Sequence, residues 1–328
     1  MTLLSTDKTT GVNLEEGILV SCASFTEGLE GPLSLAIDKN SYLLVTEEFG
    51  HRMKKFDHNF TCVWSIGLRG NKEREFFYPT DITVDTKNNY YVTDRWNHRV
   101  QKFDENGNFI LQFGSYGSQK GQFNEPWGIG LLPSNYILVV DRGNARLVIF
   151  DEFGRFITNF GRYGTSIDFY ESERFKRNFH FKNWLNNVHK LNTIESRFYE
   201  FKYDVGELEY PEDVSIDTEG NIYVTDRVGG CLIVFDKTFS LKTILSDCGS
   251  IPIPQEPSAV YAYEGGYFIA GDSTDVLYWY HDNKIILFDM KKLGIRVSNI
   301  HYEKDKNLLY VIDTWNNAIY MFSIRGSE

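Results

Sequence analysis

The stretch PTDITVDTKNNYYVTDRWNHRVQKFD, residues 79–104, contains three short strand patterns separated by turns. Residues 80–85 alternate polar and apolar side chains, as a half-buried strand does. Residues 90–93 are aromatic and β-branched, and residues 99–103 form a third strand pattern after the polar elbow DRWNH. With residues 109–113, which follow a second turn, the pattern predicts one sheet of four short antiparallel strands.

The same unit recurs along the chain. The acidic residue that closes the second strand recurs at steps of 47, 47, 85, 46 and 41 residues, at Glu47, Asp94, Asp141, Asp226, Asp272 and Asp313. A proline opens the first strand five times, at Pro32, Pro79, Pro126, Pro211 and Pro257. A period in the forties with four strands per unit is typical of a β-propeller. We therefore predict one all-β domain, a six-bladed propeller of four-stranded antiparallel blades.

These units resemble NHL repeats. The resemblance is carried by the proline-opened strand, by the segment VTDRWNHRVQKFD and by linkers that end in GQFNEP. It covers almost the whole chain, is strongest in the units that begin at Pro79 and Pro126, and is weakest in the last two. It implies the propeller fold but no single activity, because one fold hosts many functions.

The chain start is expected to close the ring. The last unit supplies only three strand patterns, at residues 297–302, 308–313 and 318–322. Residues 17–24, GILVSCAS, have the length and apolarity of the missing strand, so we predict that they complete blade six and leave no long open edge. A separate strand outside the ring is the alternative. Residues 1–16 are polar, and we expect them to be a flexible terminus before a propeller domain of residues 17–328.

One insertion interrupts the period between blades three and four. The other five blades are predicted at residues 33–66, 80–113, 127–160, 212–245 and 258–288. The inserted residues 162–205 contain Phe181, Trp184, Leu185, Val188 and Leu191 at the spacing of an amphipathic helix. We predict that the segment folds back as a helical lid over the mouth of the propeller at blades three and four, with Phe181, Trp184 and Val188 as lid residues; a loop packed on the rim is the alternative. Long insertions with their own structure are often functional.

Composition excludes several classes of function. The chain has 45 acidic and 34 basic side chains, a net charge of −11, which makes nucleic acid an unlikely partner. It has no apolar run long enough for a membrane span, and its first residues lack the pattern of a signal peptide. Its four cysteines have no metal-ligand spacing. We expect a cytoplasmic protein with no membrane contact.

The elbows and the first-strand openings are expected to meet on one face. Loops alternate between the two faces of an antiparallel blade, so the elbow after the second strand and the linker between blades share the face that we call the top. A concave mouth with mixed charges and aromatic walls suits a ligand. The predicted ligand-binding residues are Tyr78, Asp81, Arg95, Trp96, His98, Trp127, Arg142, Tyr210, Asp213, Arg227 and Trp315.

Structural roles compete with binding roles for some of these residues. The elbow acid and the Asn and Arg that follow it are expected to tie neighbouring blades, as for Asp94, Asn97, Arg99, Asn144 and Arg146. The alternative for Asp81 and Asp213 is capping of backbone amides at the channel rim. Trp127 is expected to plug the channel rather than to act in catalysis.

The resemblance also directs attention to enzymes. The peptide-amidating lyase is similar to this family and holds zinc with histidines beside the opening prolines. The corresponding residues here are Leu33, Thr80, Trp127, Glu212, Ser258 and Val297. None of them is histidine, so we expect neither that metal site nor a cofactor.

The leading interpretation is a binding scaffold whose top face recognises a protein, a peptide or a small anionic ligand. The alternative is a metal-independent enzyme, a lyase, hydrolase or cyclase, whose candidate catalytic residues are Asp81, Asp213, Glu212 and Arg95. A carboxylate beside another carboxylate has a raised pKa, as a general acid requires. Binding of single-stranded RNA, known for NHL domains of animal regulators, is disfavoured by the acidic composition.

Overall fold

The computed structural model describes residues 13–16, 18–161, 208–246, 253–271, 276–282 and 284–325. In these ranges, six sheets surround a central channel, and the first strand of each blade packs against the first strand of the next. The six-bladed propeller predicted from the sequence is therefore confirmed. No helix in the described ranges is both long and apolar enough to cross a membrane.

The described ranges contain twenty-five strands. Two precede blade one, β1 (Asn13–Glu16) and β2 (Ile18–Phe25). Blades one to three comprise β3 (Pro32–Ile37), β4 (Leu43–Glu47), β5 (Arg52–Phe56) and β6 (Cys62–Ile66); β7 (Pro79–Val84), β8 (Tyr90–Asp94), β9 (Arg99–Phe103) and β10 (Phe109–Phe113); and β11 (Pro126–Leu132), β12 (Tyr136–Asp141), β13 (Arg146–Phe150) and β14 (Phe156–Phe160). Blades four to six comprise β15 (Pro211–Ile216), β16 (Ile222–Asp226), β17 (Cys231–Phe235) and β18 (Leu241–Ser246); β19 (Pro257–Tyr263), β20 (Gly266–Gly271), β21 (Val276–His281) and β22 (Lys284–Asp289); and β23 (Asn299–Glu303), β24 (Leu308–Asp313) and β25 (Ala318–Arg325).

Short 3-10 turns are the helical elements of the described chain. They span Arg95–Asn97, Pro133–Asn135, Arg142–Asn144, Lys291–Leu293 and Lys304–Lys306. The first and third of these form the elbows of blades two and three. Each of these two elbows ends in a left-handed residue, His98 with φ 52° and Ala145 with φ 50°. The elbow is therefore compact, and the chain returns at once into the third strand.

The ring closes as predicted. Strand β2 pairs antiparallel with β25, with Val20 opposite Ser323 and Phe25 opposite Ile319, and gives blade six the strand order β2-β25-β24-β23. Chain start and chain end thus share one blade, so the ring leaves no gap between blade six and blade one.

Residues 13–16, within the segment expected to be a flexible terminus, form a strand in the structure. These residues form β1, which pairs parallel with β22 and adds a fifth strand to blade five. An outer strand of a sheet presents unpaired backbone groups, and a passing polar segment can satisfy them without an apolar face.

Two positions in the weakest repeats were misaligned by one residue. In blade two, Ile82 pairs with Val92, which lies two residues before the elbow acid. In blade six, Ile300 pairs with Val311 in the same relation, so Ser298 and Asn299, not Val297 and Ser298, correspond to Thr80 and Asp81. No proline opens that strand to mark its start. In blade five, the opening Pro257 pairs with Gly271, whereas the prolines of blades one to four pair with the elbow acid. The predicted elbow acid Asp272 is thus one residue too late, and it lies outside the described residues.

Apolar side chains pack between the faces of neighbouring blades. Met53 of blade one packs with Phe76, Tyr90 and Phe103, all fully buried. Large flat rings suit the wedge between two twisted sheets, which explains the 16% aromatic content.

Buried ion pairs tie the blades at the elbows, as predicted. The carboxylate of Asp94 accepts hydrogen bonds from Arg99 and Asn97, both at 2.8 Å, and from the backbone N–H of Phe77 at 2.7 Å. Arg99 also donates to backbone carbonyls of the linker between blades one and two, including that of Glu75 at 2.8 Å. In blade three, Asp141, Asn144 and Arg146 repeat this arrangement.

The insertion leaves and re-enters the propeller at one place. The backbone N–H of Leu208 donates to the carbonyl of Gly161 at 3.0 Å, so the two ends meet. The predicted lid residues Phe181, Trp184 and Val188 lie outside the described residues.

Candidate functional site

A cavity of about 330 Å³ opens at the top of the channel. Every blade contributes to it through residues at the start of its first strand, and blades one to four and six also contribute the residue after the elbow acid. Its lining includes Leu33, Glu48, Phe49, Thr80, Asp81, Arg95, Trp127, Arg142, Tyr210, Glu212, Asp213, Arg227, Ser258, Ser298, Asn299, Thr314 and Trp315.

Alternating glutamates and arginines form a continuous arc along blades one to five. We call this set the charged arc: Glu48, Arg95, Glu125, Arg142, Glu212, Arg227 and Glu256. Successive nitrogen–oxygen distances along it are 3.8, 2.9, 2.8, 3.2, 3.6 and 3.0 Å. Each of its three arginines thus lies between two carboxylates.

Two members of the arc, Glu125 and Glu256, were not predicted from the sequence. Glu125 pairs with Arg95 and Arg142, and Glu256 pairs with Arg227. Both residues directly precede an opening proline and have left-handed φ values of 53° and 50°. The sequence feature that could have identified them is an acidic residue immediately before a repeat-opening proline, since that position borders the mouth.

Arg142 lies at the centre of the arc and is 4% exposed. Its guanidinium stacks 3.6 Å from the centroid of the Trp127 ring and 4.9 Å from that of Tyr210. Burial lowers the pKa of Arg142, and the hydrogen bond to Glu125 opposes that shift. Its Nε has no hydrogen-bond partner in the described ranges. Trp127, which also lies 4.7 Å from the Arg95 guanidinium, forms a cavity wall.

Asp81 and Asp213 form the floor of the cavity. Asp81 accepts hydrogen bonds from Ser34 Oγ at 2.5 Å and from two backbone amides at 2.7 Å, and Asp213 accepts two backbone amides at 2.8 and 2.9 Å. The capping role considered for both is therefore confirmed. Both also line a second cavity of about 260 Å³ lower in the channel.

The pKa values of the carboxyl groups at the mouth are shifted in opposite directions. Burial raises the pKa of Asp81 to about 6, despite its hydrogen bonds. Burial and the charge of Asp81 raise the pKa of Asp213 well above its ordinary value. Burial also raises the pKa of Glu48. For Glu125, burial is outweighed by hydrogen bonds from Arg142 and Arg95, which lower its pKa.

The eleven predicted ligand-binding residues divide into two groups. Eight line the cavity: Asp81, Arg95, Trp127, Arg142, Tyr210, Asp213, Arg227 and Trp315. Tyr78 instead packs edge-on against His51 at 4.6 Å, and His98 accepts the backbone N–H of Glu125 at 3.2 Å. Trp96 is 40% exposed beside Arg95. Tyr78 and His98 therefore join blades rather than line the mouth.

Metal-ligating types do not gather in the described part of the chain. No group of three His, Cys, Asp or Glu side chains there has an arrangement that could hold a metal ion.

Comparisons with known proteins agree on the fold. The NHL repeat family matches residues 76–103 and 123–150. A catalytically inactive virginiamycin B lyase from Staphylococcus aureus, solved with quinupristin, is 9% identical with a TM-score of 0.60 and covers 94% of this chain and 99% of its own. The selenomethionine form of that enzyme gives the same values.

A third solved structure, a streptogramin B lyase, is 11% identical with a TM-score of 0.60 and covers 94% of this chain and 98% of its own. At these identities the likeness shows the fold alone. No curated protein matches the sequence. The chain therefore contains NHL repeats at residues 76–103 and 123–150 and folds as a six-bladed β-propeller.

Proposed function

We propose that this protein is an NHL-type scaffold that binds a segment of a protein or peptide in the top cavity. NHL propellers commonly mediate protein interactions. The observation that carries the proposal is a mouth built from all six blades in which buried polar groups lack partners. These groups are Arg142 Nε and Ser258 Oγ, which form no hydrogen bond within the described residues. A buried donor without a partner costs about 1–3 kcal/mol, which a bound carbonyl or water can recover.

A small anion fits this mouth less well than a peptide does. Each arginine of the charged arc already contacts two glutamates, so an anion has to compete with them. A peptide backbone offers both donors and acceptors, which match an arc of alternating sign. The apolar side chains Phe49 and Trp315, 50% and 62% exposed, extend the mouth for side-chain packing.

Peptide selection with a blocked cavity tests the proposal. Peptides from a random displayed library are selected on the wild-type protein and titrated against Ser258→Phe, which fills the mouth. Asn59→Phe adds the same ring at an exposed turn of the opposite face and is the matched control. We expect at least a tenfold loss of affinity for Ser258→Phe alone. Equal affinity for wild type and both variants would contradict binding in the cavity.

One observation favours an enzyme as the second candidate. The Asp81 carboxyl, with its pKa raised to about 6, borders both cavities of the channel and can exchange a proton near neutral pH. Mass spectrometry of a selected ligand before and after incubation separates the candidates. An unchanged ligand supports the scaffold, whereas conversion that Asp81→Asn abolishes establishes the enzyme.

A further inference from the structure

Two buried carboxyl groups in the channel lack a basic partner. Asp81 is 9% exposed and Asp213 is 5% exposed. Within the described ranges, neither has a Lys, Arg or His side chain at ion-pair distance, although the nearby Asp94 and Asp141 each bind an arginine. Buried acids are rare in proteins unless they are paired. The missing positive charge is the first indication of a ligand.

The carboxylates belong to an alternating ring of register-equivalent positions in the first strands that line the channel. We call this ring the waist: Ser34, Asp81, Gly128, Asp213, Ala259 and Asn299. Long polar and short side chains alternate from blade to blade, so the three long ones are separated by small residues. At Gly128, an added Cβ would lie 2.9 Å from the carbonyl oxygen of Glu212, so a larger residue does not fit there.

The waist connects the two cavities. Asp81, Asp213 and Asn299 each line both the upper and the lower cavity. The backbone amides hold these side chains in place, since Asp81, Asp213 and Asn299 each accept the N–H of the following residue. The remaining oxygen lone pairs are therefore already oriented before a ligand binds, and binding does not have to order these side chains.

The net charge around the mouth favours a cation. The charged arc contains four glutamates and three arginines, and the waist adds two aspartates. Blades five and six present the uncharged Ser258, Ser298 and Thr314, which give a cation a path past the arginines. A cleft with an excess of one sign concentrates ligands of the opposite sign.

We infer that the segment bound in the top cavity presents a lysine or arginine side chain, whose cationic end lies at the waist between Asp81 and Asp213. This inference rests on the proposed peptide-binding function and specifies its ligand. The aliphatic part of the side chain passes the aromatic wall of the mouth, and a peptide carbonyl can accept from Arg142 Nε.

Three capped five-residue alanine peptides with lysine, norleucine or glutamate at the centre test the inference. Norleucine keeps the length of the lysine stem and removes its charge. Ligand-observed NMR titration with the wild-type protein at pH 8 should give at least a tenfold lower Kd for the lysine peptide than for the norleucine peptide. Asp213→Asn should remove that preference. Asp104→Asn, which changes a half-buried acid in the turn between β9 and β10, should keep it.

A gain-of-charge variant tests the same charge effect in case Asp213→Asn loses binding because it fails to fold. Asn299→Asp places a third carboxylate at the waist with the same shape, and it should lower the Kd of the lysine peptide several-fold. Tight binding of the norleucine or glutamate peptide, combined with sensitivity to Ser258→Phe, overturns the cationic ligand and leaves the scaffold intact. If none of the peptides binds and no selected peptide responds to Ser258→Phe, the proposed function is overturned as well.

Discussion

Asp81 accepts a hydrogen bond of 2.7 Å from the backbone N–H of Ile129 on the next blade. The same connection recurs from Asp213 to the N–H of Val260 at 2.9 Å, so carboxylates join blade two to three and blade four to five at the channel. The acidic side chains at the floor therefore stabilise the ring as well as shaping its electrostatics.

The protonation of Asp81 should make stability depend on pH. Its folded pKa of about 6 exceeds the ordinary value of 3.8, so the folded state binds the proton more tightly than the unfolded chain. The stabilisation is complete below pH 3.8 and is lost as the pH rises through about 6. Two pKa units correspond to roughly 3 kcal/mol in the free energy of unfolding.

Asp81→Asn should make this loss smaller and leave the shallower slope that Asp213 contributes, whose pKa is also raised by burial; denaturant titrations between pH 4 and pH 8 can measure both slopes. Asparagine also weakens the amide caps, so the slope with pH, not the absolute stability, is the readout. Asp104→Asn is the control, because hydrogen bonds hold the pKa of Asp104 below its ordinary value despite desolvation. A wild-type slope that persists in Asp81→Asn would assign the titration to another group.

The buried Asp94–Arg99 pair should be essential for stability. Arg99→Ala leaves the carboxylate of Asp94 buried and frees linker carbonyls, so we expect a loss on the order of 3–5 kcal/mol in chemical denaturation. Arg155→Ala removes a pair in which the arginine is 59% exposed and should cost less than about 1 kcal/mol. Equal losses in the two variants would show that the elbow network does not hold the blades together.

Arg142 and Arg227, which both pair with Glu212, should contribute unequally to the free energy of unfolding. Arg142 is 4% exposed, so Arg142→Ala leaves Glu212 with Arg227 at 3.6 Å and should cost on the order of 3 kcal/mol. Arg227→Ala removes an arginine that is 30% exposed and should cost less than about 1 kcal/mol. Unfolding curves in urea give both values, and the reverse order would contradict this account of the arc.

Closure by the chain start should be indispensable. Deleting residues 17–24 removes most of β2 from blade six and exposes β25, so we expect loss of the cooperative thermal transition. Removing residues 1–16 is the control, since β1 at the outer edge of blade five is what it removes from the described ranges. Circular dichroism melting distinguishes the two. An unchanged Tm after the first deletion would mean that the ring closes in another way.

The propeller should tolerate excision of the insertion. Gly161 and Leu208 are already joined by a hydrogen bond, so a short Gly-Ser link in place of residues 162–207 requires no movement of blades three and four. We expect a Tm within a few degrees of the wild-type value. Affinity for a selected peptide should fall, because the chain passes from the insertion into blade four directly before Tyr210, which lines the cavity. Full affinity would exclude a binding role for the insertion.

The sequence by itself determined the number of blades, the closure and the turns. These features follow from local rules: strand alternation, a proline at the start of the first strand in five blades, and turn acids such as Asp85, which accepts the amides of Lys87 and Asn89. The Asp94–Arg99 tie could also be predicted, because its two partners face each other across one elbow.

Only the tertiary structure decided what the arginines contact. Glu125 and Glu256 are separated from Arg95 and Arg227 by about thirty residues and lie in linkers with no strand pattern. Their pairing depends on the rotation between successive blades, which the sequence of one repeat does not specify. The absence of a described counter-charge at Asp81 and Asp213 likewise depends on the ring, because side chains from all six blades converge on one axis.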